Sequence, residues 1–469
     1  MSRINTNVPS LIAQRTLGRN NDKLNVSLER LSTGLKINRG SDDPSGLIAS
    51  ENLRADKTGI EAGIKNAERA SNIIGTAEGG LSEISSLLNE VQSLVSEAAN
   101  SGGLSSDEIS ANQLQVDSIL NTINRLAAST SFQGQKLLDG SLDYTTGTIT
   151  ASTVNNLRIN GARLADGADK TVTVEVVASA DVARTGRTAT TALAGSVTLE
   201  IGGTGGTEQL SFLSGATNSG IAASVNAVKD STGVSAVLSG GALRFNSTEY
   251  GSSQFVSVKA ISGEANFAVT AAKDTGLDAS VTVNGAAAET EGLSVRLKTA
   301  TLDVEFDLDN ALNVAAQTTS FDITGGGAAF SIGSKVNEQA KAGLGIAAVT
   351  TGNLGNSTLG FLSTLGSGKE NDLNSGNLTT AQKILDKSIV QVSQLRGRLG
   401  AFQKFELGST VNALGVALEN TSAAESAIRD TDFAEETSSL TRSQILSQAA
   451  SSILSQANSA PQAALSLLR

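Results

Sequence analysis

Apolar residues recur at alternating spacings of three and four along both ends of this chain. The last segment, SQAASSILSQANSAPQAALSLLR, continues a line that joins Leu446, Ala450, Ile453, Ala457, Ala460, Ala464 and Leu467. Such a stripe belongs to a helix that packs on a partner. The first segment mirrors it. Ile4, Val8 and Leu11 share one stripe, and after a shift Leu17, Leu24, Leu28, Leu31 and Leu35 continue another. RGSDDPSG (39–46), with Pro44 and two glycines, breaks the pattern. Three/four spacing then resumes through Ile74, Ala77, Leu81, Ile84, Leu88, Val91, Val95 and Ala98. SGGLSS (101–106) reads as a turn, and a further helix runs through Ile109, Val116, Leu120 and Ile123. Toward the other end, Ala381, Leu385, Val392, Leu395, Leu399 and Phe402 form a seam. Leu407, Val411, Leu414 and Leu418 form a second one after a phase slip. These stripes are narrow, so each helix alone is marginal and packing must stabilise it.

Between the helical ends, from 141 to 335, the seams fade and Gly, Ala, Thr, Ser and Val dominate. Alternating runs appear at TVTVEV (171–176), SVTLEI (196–201), FVSVKA (255–260), LSVRLK (293–298) and LDVEFDL (302–308). Alternation with glycine punctuation predicts antiparallel strands with one wet face. One helix is expected inside this region, at SGIAASVNAVKD (219–230). The fold class is therefore α+β: long α-helical coiled-coil domains formed by the paired N- and C-terminal segments, with an inserted antiparallel β-rich region.

Composition narrows the chemistry. Among 469 residues there is no Cys, no His and no Trp, and aromatics make up only 3%. Without Cys there are no disulfides and no thiolate nucleophile. Without His the commonest metal ligand and neutral-pH base is gone, which rules out HExxH zinc sites and Ser–His or Cys–His pairs. A net charge of −11 argues against a nucleic-acid partner. No apolar run approaches a membrane span of ~18–20 residues, and the N-terminus lacks the apolar core of a cleaved signal peptide. IGGTGG (201–206) lacks both dinucleotide-fingerprint spacing and a P-loop lysine and reads as a β-turn. Asp303, Asp307 and Asp309 lack the glycine of a calcium loop and read as a strand face. Neither catalytic nor metal-binding residues are expected, and no cofactor.

Both ends resemble bacterial flagellin. INTNVPSLIAQRTL, LNVSLERLSTGLKINRGSDDPSGLIASENLRA and INRLAASTSFQGQKLLDG are similar to the family's N-terminal region. AIRDTDFAEETSSLTRSQILSQAASSILSQANSAPQAALSLLR (427–469) is similar to its terminal block. The likeness covers about residues 1–140 and 375–469. TNSGIAASVNAVKDSTGVSAVLSGGALRFNSTEYGSSQFVSVKAISG resembles the insertion motif of flagellins and hook-associated proteins.

The resemblance implies an extracellular structural subunit of the bacterial flagellum, exported without a cleaved signal peptide through a type III channel and polymerising for swimming motility. It implies an inner coiled-coil domain from 1–43 and 430–469, a helical rod domain from 44–140 and 336–429, and a surface region from 141–335 of one or two domains. Leu24, Leu28, Leu31 and Leu35 are expected to face Leu446, Ile453 and Leu467 in a self-assembly seam. Implied partners are copies of itself, an export chaperone, the filament cap and the hook–filament junction proteins. In family members that activate Toll-like receptor 5, an arginine stands where this chain has Glu90, and a glutamate at or beside the position of Gln115, while Leu94 matches. A carboxylate in place of a guanidinium removes a five-donor fork and reverses the charge. Weak receptor recognition is the expectation. Two other readings remain: a junction protein that makes only a short ring, and a coiled-coil adhesin, which would need an anchor.

Overall fold

A computed structural model describes residues 6–100, 102–147, 153–164 and 168–466. Among the described residues, eight α-helices carry the ends and a small part of the middle: α1 Val8–Thr33, α2 Pro44–Ala98, α3 Ser106–Ser129, α4 Asn218–Ala227, α5 Lys229–Thr232, α6 Leu378–Ala401, α7 Gly408–Arg429 and α8 Phe433–Ser466. The chain separates into two compact units. The first holds the described parts of Met1–Glu68, Ser331–Ala340 and Leu407–Arg469; the second holds those of Arg69–Phe330 and Lys341–Glu406.

In the first unit, α1 begins at Asn7, whose side chain caps the Ser10 N–H, with Pro9 in the first turn. It ends at Gly34 (φ 74°), where a left-handed residue stops a helix at little cost, and the Gly34 N–H reaches the Arg30 carbonyl. Leu35 therefore lies beyond the helix and does not continue the α1 stripe. It sits instead in a short antiparallel bridge with Asp430, where the Lys36 N–H donates to the Arg429 carbonyl at 2.7 Å. α2 starts with Pro44, which suits a first helical position. Asp43 accepts the Gly46 N–H, and Asp42 gathers the N–H groups of Asn38 and Arg39. Gly59 and Gly63 let the 331–340 segment lie directly on α2, since a Cβ at Gly59 would stand 2.3 Å from the Ser334 carbonyl oxygen.

In the second unit, the expected α2 stripe is buried throughout, from Ile74 to Ala98. Ala381, Leu385, Val392, Leu395 and Leu399 of α6 are buried too. The expected phase slip has a structural cause: Phe402–Leu407 is a turn of π-helix, whose wider turn rotates the stripe that follows. Side-chain amides of α3 tie the segment 346–377, which includes a 3-10 turn at Leu362–Leu365, to that helix. Gln113 accepts the Leu373 N–H and donates to the Leu365 carbonyl, and Asn124 accepts from Thr351.

The inserted region holds two separate apolar cores. One is a sandwich of a five-stranded and a four-stranded antiparallel sheet around Val172, Val174, Phe306 and Phe321. The other lies within it in sequence, around Ile201, Ile221, Phe245 and Val258, with a three-stranded sheet, a four-stranded sheet and α4. All five alternating runs are strands, because each buries every second side chain. IGGTGG falls at the hairpin turn between Val197–Gly202 and Thr207–Phe212.

Candidate assembly surface

α1 and α8 run antiparallel, pinned by hydrogen bonds at one end and midway and by an ion pair toward the other end. The Asn7 amide donates to the Ala457 carbonyl at 2.8 Å, the Ser10 hydroxyl to Asn458 at 2.7 Å, and the Ser447 hydroxyl to Asn21 at 2.7 Å. Arg30 lies 3.5 Å from Glu436 at the other end. On α1 the sheltered line is Ser10, Ala13, Leu17, Asn20, Leu24, Ser27 and Leu31, and on α8 it is Glu436, Leu440, Ser443, Ser447, Ala450, Leu454 and Ala457. Both lines alternate steps of three and four without a break. Ser and Ala fill three of the seven positions on α1 and four of the seven on α8.

This seam differs in phase from the expected one. Leu24 and Leu31 lie on it and are half-buried, but Leu28 is 46% exposed. Leu446 (45%) and Ile453 (61%) face solvent, while Ala450 and Ala457, from the same expected line, face α1. Leu446 and Ile453 sit one heptad apart, flanking the seam rather than filling it. Leu467 lies outside the described residues. On the seam Ser and Ala alternate with Leu17, Leu24, Leu31, Leu440 and Leu454, and Leu446 and Ile453 fall outside that line. α8 thus carries a stripe wider than α1 covers, extended by Ile445 and Phe433. On α1, Val8, Leu11, Ile12 and Val26 are likewise exposed. Burying a Leu or Ile side chain fully is worth roughly 1.5–3 kcal/mol, so even partial cover of these residues would drive association.

The residues matched to receptor recognition differ in exposure. Glu90 and Gln115 are exposed on α2 and α3, but Leu94 is buried at 8% exposure and presents little to a partner. Asp303, Asp307 and Asp309 each take an asparagine amide, from Asn160, Asn156 and Asn155, which makes them a bonded strand face.

Residues 4–143 match the family profile described as Bacterial flagellin N-terminal helical region, and residues 382–468 match Bacterial flagellin C-terminal helical region. A third, Flagellin hook IN motif, matches 198–249. The chain is 31% identical to Flagellin of Salmonella choleraesuis, across 99% of both chains. The chain belongs to the bacterial flagellin family. It is also 29% identical to Flagellin B of Vibrio cholerae, across 99% of each. Against the solved FliC of Burkholderia pseudomallei the identity is 17% and the TM-score 0.24, covering 71% of this chain and 99% of that one, too low a score to carry argument. As a flagellin it is a structural subunit of the bacterial flagellar filament, the extracellular polymer that serves swimming motility. The match covers the helical ends almost entirely, the parts that carry the α1–α8 pair and its uncovered stripe. No described helix of this flagellin is long and apolar enough to cross a membrane.

Proposed function

We propose that residues 1–43 and 430–469 form the inner coiled-coil layer of the filament, 44–140 and 336–429 its helical rod, and 141–335 an outward insertion. The contact between subunits runs along the flank of the α1–α8 pair, through Leu28, Leu446 and Ile453, with Leu24, Leu31 and Leu35 beneath it and Leu467 extending it. The observation that supports this is the exposure of Leu446 and Ile453 beside a seam that is already filled. A head-to-tail contact of this kind does not close and generates a helix of subunits.

Before assembly the subunit is held by an export chaperone, and it is added under the filament cap beyond the hook–filament junction proteins. No catalytic role is assigned to it. Recognition by Toll-like receptor 5 is weak, for Glu90 brings a carboxylate where an arginine fork is needed and Leu94 is sheltered. A chain ending at Arg429 tests the assignment. It should remain monomeric under conditions in which the full chain polymerises, as read by sedimentation and electron microscopy. Long filaments from the shortened chain would overturn it.

A further inference from the structure

The second unit contains a cavity of about 540 Å³, far larger than a water-sized void. Its walls come from the strand Val154–Ala162, from α6 and from the 345–355 segment. Arg158, Arg296 and Arg398 line it together with Asp143 and Glu305, and Asp303 and Asp307 act on Arg398 and Arg158 from beside it. Glu305 lies opposite both Arg158 and Arg296 in the sheet register.

Other acceptors nearby hold hydrogen bonds of their own. Asp303 takes the Asn160 amide, and Asp307 takes the Asn156 amide and the Ser294 hydroxyl at 2.6 Å. Gln391, on the wall, is committed to Gly355. Asp143 accepts its neighbour's Tyr144 N–H at 2.8 Å. Arg398 Nε is buried and has no hydrogen-bond partner among the described residues. Two guanidiniums present about ten N–H donors, and Arg398 Nε is one that the described residues leave without an acceptor. Burial also pushes the Arg158 and Arg398 pKa values down and that of Asp143 up, the signature of charges poorly supplied with water.

We propose that this cavity binds a small polyoxyanion, a phosphorylated or polycarboxylate compound, clamped between Arg158 and Arg398. Planar guanidiniums meet such oxygens in pairs, and a low-dielectric site strengthens each bond. The cavity's size matches organic ligands larger than inorganic phosphate.

The test uses the full chain held as monomer and follows thermal unfolding against added pyrophosphate in one arm and citrate in the other, with sodium chloride at matched ionic strength as control. Saturable stabilisation is expected in at least one arm and not with chloride. The arm that responds names the oxyanion class. Arg158→Gln and Arg398→Gln should each weaken the half-saturating concentration at least tenfold. Glu305→Gln, which removes a competing carboxylate, should tighten it several-fold. No saturable shift in either arm, or equal shifts in the wild type and both arginine variants, overturns the proposal. If the arginine variants fail to fold, Glu305→Gln decides alone: unchanged or weaker binding overturns it. Filament growth is not the readout, so the result is independent of the assembly reading.

Discussion

Gln391 meets the peptide group of Gly355 as a neighbouring strand would: Oε1 accepts the Gly355 N–H at 2.9 Å and Nε2 donates to its carbonyl at 2.6 Å. Both residues are buried. Leaving two buried backbone groups unsatisfied costs about 1–3 kcal/mol each. Gln391→Leu should therefore lower stability by about 2 kcal/mol or more in denaturant unfolding. Gln391→Glu keeps the acceptor, loses the donor and adds a buried charge, so it should not restore stability. Wild-type stability in Gln391→Leu would show that the segment is held by other contacts.

Ile453 and Ala450 lie three residues apart on α8 with opposite surroundings, one facing solvent and one facing α1. Ile453→Asp should leave the monomer's helix content unchanged and abolish filament growth, because assembly would bury an unpaired charge at a cost of several kcal/mol. Ala450→Asp should instead separate α1 from α8 within the monomer, seen as faster protease cleavage of both helices. Seeded polymerisation followed by light scattering separates the two. Normal filaments from Ile453→Asp would place the subunit contact elsewhere.

The turn before α2 should respond to acid. Asp42 is held below the usual carboxylate range chiefly by the Arg39 N–H and next by the Asn38 N–H. A carboxyl whose folded pKa is depressed stabilises the fold above its unfolded pKa of about 3.9, and that contribution is lost as pH falls through the lower folded value. Exchange protection of the Asn38 and Arg39 amides should be constant from neutral pH to about 4 and fall below it. In Asp42→Asn the step should vanish. Protection lost already between pH 7 and 5 would contradict this origin.

Asp181 and Leu277 exchange a pair of backbone hydrogen bonds, both 2.9 Å, where the chain enters and leaves the second β core. With the two ends already adjacent, replacing residues 182–276 by a short Gly/Ser linker should leave the outer sandwich core intact. Calorimetry should lose one transition and keep the rest, and filaments should still form. Failure to assemble would show that the inner β body takes part in subunit contacts.

Much of this was legible in the sequence because it rests on local periodicity. The α2 stripe from Ile74 to Ala98 and the strands at 171–176 and 302–308 follow directly from which side chains share a face, a property of the backbone repeat. Even the phase slip before Leu407 showed as a break in spacing, although its cause, a π-turn, did not. The end of α1 at Gly34 was missed because Leu35 continues the spacing, and only the left-handed backbone there removes it from the helix.

The sequence alone determined that the chain's ends are paired helices with a β-rich interior between them, since amphipathic period follows from residue order. It also bore the family's motifs. Tertiary structure decided which of two adjacent lines on α8 becomes the seam and which stays uncovered, because that depends on how closely two backbones approach. It likewise decided that Arg158 and Arg398, 240 positions apart, share one cavity, for no local pattern records a meeting between distant segments.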